Sequence, residues 1–174
     1  MRRAYGTGGL VLAAGLGLSS AVQAQSMNIR AITRDVGEGV CAPFIESRDM
    51  AAAISAGEAL GYRVIDIEPD NQAGEQNPPP SAVRMERRHG GRITLSRADT
   101  FSFCAIGMAE GGVATIAETA EPFLRDLGMA PALDEREGTN AISVWRGGNR
   151  QAVIARSPHH RPGSELVISV ATPR

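Results

Sequence analysis

Two glycine-rich tripeptides, His89-Gly90-Gly91 and Gly147-Gly148-Asn149, each stand between segments in which apolar and polar residues alternate. A connection that short cannot cross over a sheet, so the segments it joins must lie side by side and antiparallel. The first turn is flanked by residues 83–88 and 92–97, the second by 141–146 and 150–156. A further short turn, Ala98-Asp99-Thr100, leads into 101–108, and 165–172 alternates again after a loop at 157–163.

Two stretches instead show helical spacing. Ser47 can cap a helix to about Leu60, with Met50, Ile54 and Leu60 near one stripe. Val113, Ile116, Ala117, Ala120, Leu124 and Leu127 follow the i, i+3, i+4, i+7 pattern of a second helix over 112–127, which Pro122 is expected to kink or shorten. An alternative makes 113–118 a strand and starts the helix near Pro122. Both helices end in Leu-Gly followed by an apolar residue, Tyr62 or Met129, the signature of a glycine C-terminal cap. Residues 63–68 alternate like a strand, 69–82 hold no core-forming residue and read as an exposed loop, and 25–40 lack a clear period, with a short strand near 28–33 or a flexible segment as the readings.

The predicted fold is α+β: two helices packed on one face of an antiparallel sheet, in a single domain spanning 25–174. Each half carries a cysteine, then a helix, then strands around a Gly-Gly turn. That order suggests a pseudo-duplicated α-β-β-β unit in which a disulfide joins equivalent places.

Residues 1–24 have the three-part order of a cleavable signal peptide. Arg2 and Arg3 form the basic start, 8–22 the apolar stretch, and Val22-Gln23-Ala24 the peptidase site, so the mature chain is expected to begin at Gln25. The Arg2-Arg3 pair also hints at twin-arginine export, although Ala4-Tyr5-Gly6 match that signal poorly. The apolar stretch is too short to span a bilayer, so the mature protein is not expected to be membrane-integral. All 18 basic residues are arginines. Together with frequent Ala and Gly, this suggests a GC-rich bacterial genome, and the expected location is the periplasm or the medium. In that oxidising compartment Cys41 and Cys104 allow a single intramolecular disulfide.

The absence of lysine excludes Schiff-base chemistry and the lysines of P-loop and kinase sites. Without Arg2 and Arg3 the chain carries 16 basic against 19 acidic residues, which gives no footprint for nucleic acid. No cofactor motif is present. His159 and His160 sit between Arg156 and Arg161, which would repel a cation, and His89 lies at a hairpin tip near Glu86, where exposure argues against a tuned base. Asp66, Glu68 and Asp70 mimic the start of a calcium loop, but Pro69 interrupts it and Asn77 stands where the bidentate Glu belongs. Arg84, Arg87, Arg88, Arg92 and Arg97 cluster on the first hairpin without the aromatic residues that stack on bases.

These observations favour a non-catalytic binding or envelope-accessory domain. A small hydrolase or metal-dependent enzyme using His89, His159 or His160, and an inhibitor of a secreted enzyme, are the alternatives. If Ile142, Val144, Ala152, Ile154, Leu166, Ile168 and Val170 point inward, the opposite face of the second unit carries Trp145, Val153 and Val167. Such an apolar face is a candidate surface for a protein partner or self-association, unless the loop at 130–140, the N-terminal segment or a helix covers it.

Overall fold

Eight strands and three helices account for most of the residues described by the computed structural model, namely 28–69, 80–88, 91–157 and 163–172. Helix α1 runs over 28–47 and includes one wider π turn, Gly37–Cys41, where the Ala42 N–H donates to the Gly37 carbonyl. Helix α2 is Met50–Ala59 and helix α3 is Val113–Asp126. The strands are β1 Arg63–Pro69, β2 Pro80–Arg87, β3 Gly91–Arg97, β4 Phe101–Met108, β5 Ala130–Glu135, β6 Ile142–Gly147, β7 Arg150–Arg156 and β8 Ser164–Ala171.

All eight strands form one antiparallel sheet in the order β1-β2-β3-β4-β8-β7-β6-β5. Each half is a helix followed by a four-stranded meander, and the halves meet where β4 pairs with β8. The architecture is therefore α+β and dominated by its sheet. The repeated unit has four strands where three were expected, and a third helix, α1, precedes it. The expected strand at 28–33 is part of that helix. Ile29, Ile32, Thr33, Val36, Val40, Cys41, Phe44 and Ile45 are all buried, a period of 3.6 that overrides the strand preference of the β-branched residues among them.

Both glycine caps form as expected. Gly61 and Gly128 take positive φ values of 83° and 76°, and the N–H groups of Tyr62 and Met129 reach back to the carbonyls of Gly57 and Leu124. Asp49, not Ser47, caps α2, its side chain accepting from the Ala52 N–H at 3.0 Å. Helix α3 continues through Pro122; that residue and Glu118, whose carbonyl lacks its usual donor, are both on the exposed side.

The three helices cover one face. Across it run two buried rows in register, Val83–Leu95–Cys104–Ile168–Ala152–Trp145 and Met85–Ile93–Ile106–Leu166–Ile154–Ser143. Cys41 on α1 and Cys104 on β4 form a disulfide with Cα atoms 5.4 Å apart, both residues fully buried. One partner is helical and the other is in a strand, so the bond fastens α1 to the sheet centre and does not link equivalent places of a repeat. Arg48, in the left-handed region at φ 59°, clamps the next corner. Its guanidinium donates to Ser102 Oγ at 3.0 Å, to Thr172 Oγ1 at 2.9 Å and to the Ala98 carbonyl.

The disulfide closes a loop across a sequence separation of 63 residues. Constraining the unfolded chain to that extent is worth about 4 kcal/mol. Thiol labelling of the denatured, unreduced protein should find no free cysteine, and Cys41→Ala with Cys104→Ala should lower the unfolding free energy by about that amount. Two labelled thiols per chain would contradict the bond.

Candidate functional site

The register fixes which side chains share the face opposite the helices. Here Ala105, Val167, Val153, Val144 and Leu133 form one row across five adjacent strands. Leu133 at the edge of the row and Phe101 beside it are 43% and 44% exposed, Val153 and Val167 are half-buried, and Ala105 and Val144 are buried between their neighbours; the Phe101 and Phe103 rings stack beside the row with centroids 6.3 Å apart. The same row continues in the first half as Thr94, Arg84 and Asp66, so the face changes from aliphatic to charged. Arg84 pairs with Asp66 at 3.3 Å and Glu68 at 3.6 Å. The run that resembled a calcium loop is thus engaged by a guanidinium, and Asp70 lies outside the described residues.

Val153 and Val167 lie on this open face as expected, but Trp145 does not. The second hairpin pairs Gly147 with Arg150 around a two-residue loop, where a three-residue loop was expected. A one-residue change of register turns a strand over. On β6, Ser143 and Trp145 therefore face the helices, and Ile142 and Val144 face outward. The first hairpin pairs Arg87 with Gly91, which keeps the parity of a three-residue loop.

Trp145 is fully buried and belongs to a ring of side chains binding edge strand β5 to α3. Its Nε1 donates to Ser143 Oγ at 3.0 Å, and the Arg125 guanidinium lies 5.7 Å from its ring centroid. Glu121 accepts from Arg125 at 2.8 Å and faces Arg136, which donates from Nε to Asp134 at 2.6 Å. That bond, with a smaller contribution from Ser143, holds the Asp134 carboxyl below its ordinary range. Strand β5 itself replaces part of the loop expected at 130–140. Its six residues are all exposed, and Pro131 adjoins a break in its pairing, which are common features of a protected edge.

A cleft of about 630 Å³ opens at the end of the first hairpin. Ile29 and Ile32 of α1 and Met108 of β4 form its apolar side, and Arg87, Arg88 and Arg92 its basic side. Gly91 and Gly107 contribute backbone alone; a Cβ on Gly91 would run into the Gly107 carbonyl oxygen. Arg92 Nε donates to Glu86 Oε1 at 2.7 Å. Arg87 donates to the Leu60 carbonyl at 2.8 Å and stacks over Tyr62 at 5.0 Å. Burial pushes the Tyr62 hydroxyl above its ordinary pKa, with the Arg87 charge opposing the shift. Sequence reasoning found the arginines of this cleft but not its apolar wall, which exists only because 28–36 is helical.

Ala24, Gln25, His89, His159 and His160 lie outside the described residues, as does 70–79 of the expected loop; the ends of that loop, Pro69 and 80–82, instead belong to the paired strands β1 and β2. Among the described residues, no group of three His, Cys, Asp or Glu side chains could hold a metal, and no helix is long and apolar enough to cross a membrane. Comparison with known proteins finds no matching family model, no matching curated protein and no matching solved structure.

The position of Trp145, the only tryptophan, is directly measurable. Its emission should be blue-shifted and poorly quenched by acrylamide, and Trp145→Ala should destabilise the fold by about 3–5 kcal/mol. Red-shifted, readily quenched emission would place the ring on the open face instead.

Proposed function

We infer that the chain is an exported, disulfide-stabilised binding domain of the bacterial periplasm or medium. In this reading it is cleaved after Ala24, starts at Gln25, and engages a protein partner through the open sheet face around Val153 and Val167. The observation that carries the reading is the aliphatic row from Ala105 to Leu133 on the side away from the helices. Among the described residues no helix packs on this side, and an antiparallel face left to solvent ordinarily alternates to polar residues, as the first half of this sheet does. Apolar side chains in continuous register are more consistent with a contact surface than with a solvated one. The buried disulfide suits an oxidising compartment.

A photo-crosslinking amino acid placed at Val153, in cells expressing the full chain, tests the reading against the same probe at Arg84. A discrete adduct from the periplasmic fraction at position 153, absent at 84, supports partner binding by this face. An adduct of twice the chain mass would make the occupant a second copy. No adduct at 153, or equal labelling at both positions, would contradict the proposal.

A further inference from the structure

We propose that the cleft beside the first hairpin is a second binding site, one that takes a small monocarboxylate with a short aliphatic tail. Its position is the first argument. The two halves repeat a helix and four strands, but α1 has no counterpart in the second half. The cleft lies where that unmatched helix leans on the repeated frame.

The second argument is size and surface. A volume of about 630 Å³ falls within the range of small-molecule sites. One wall is the aliphatic surface of Ile29, Ile32 and Met108, and the floor at Gly91 and Gly107 presents backbone with no side chain in the way.

Charge is the third. Arg92 and Glu86 neutralise one another, which leaves Arg87 and Arg88 against Glu110 among the described residues lining the cleft. The excess is one positive charge, suited to a monoanion. Arg87 is held in place by the Leu60 carbonyl and the Tyr62 ring and spends one of its N–H groups on that carbonyl. A guanidinium fixed in advance loses little freedom on binding, and its planar fork matches a carboxylate. Arg88 is exposed beside it and supplies the second donor.

The test is an amide-resonance titration of the isotope-labelled chain with octanoate, 1-octanol and octylammonium as separate probes. Octanoate should give saturable shifts at Ile29, Gly91, Gly107 and Met108 and bind about tenfold or more tighter than 1-octanol, the difference expected for charge-assisted hydrogen bonds. Arg88→Gln, at an exposed position that leaves the fold intact, should weaken octanoate several-fold and leave 1-octanol unchanged. The resonances of Val153 and Val167 should not move, which separates this site from the open face. Equal affinity for octanoate and 1-octanol, preference for octylammonium, shifts confined to the open face, or no saturable shift would each overturn the proposal.

Discussion

The antiparallel pairing of β4 with β8 is the contact on which the rest of the molecule depends. Each meander is built from neighbours in sequence, but this seam joins residues far apart, from Phe101 opposite Ala171 to Met108 opposite Ser164. Closing it costs loop entropy that local turns do not. The compensation comes from burial on the helix side, where Cys104 and Ile106 meet Ile168 and Leu166 with no exposed surface. Further contacts gather at the seam. The disulfide fastens α1 to its middle; Arg48 spans one end, from Ser102 on β4 to Thr172 after β8; and Ser164 Oγ donates to the Gly111 carbonyl at 2.7 Å at the other.

The repeated frame explains stability, and the departures from repetition locate candidate function. Both halves have a glycine-capped helix whose last carbonyl accepts from an arginine, Arg87 to Leu60 and Arg150 to Leu127. They differ in two ways. The open face is salt-bridged in one half and aliphatic in the other, and the first half has an additional helix, α1, with the cleft beside it. A frame that needed only to fold would not require either difference.

Much of the frame is legible in the sequence because turns and caps are local. Gly61 and Gly128 mark the helix ends, and the alternating segments around the Gly-Gly turns become β2, β3, β6 and β7. What could not be read depends on tertiary context. The loop Gly148-Asn149 has one residue fewer than expected, and that single step moved Trp145 from the open face into the core. Residues 28–36 are rich in β-branched side chains, and only packing of their 3.6-residue stripe against the sheet makes them helical. Strand β5 has no alternation because all its side chains are exposed, and it is held by β6 and the Asp134–Arg136–Glu121 chain. Of the candidate sites, Val153 and Val167 were legible because β7 and β8 alternate cleanly. The cleft was not, because its two walls come from segments far apart in sequence.

Native-state hydrogen exchange tests the central role of the seam most directly, because sub-global openings release the least protected elements first. The amides of Cys104, Ile106, Leu166 and Ile168 should exchange only with global unfolding, while those of β1 and β5 exchange through smaller openings. If the β4 and β8 amides exchange as fast as those of the edge strands, the seam does not organise the fold, and the two halves must be stabilised independently.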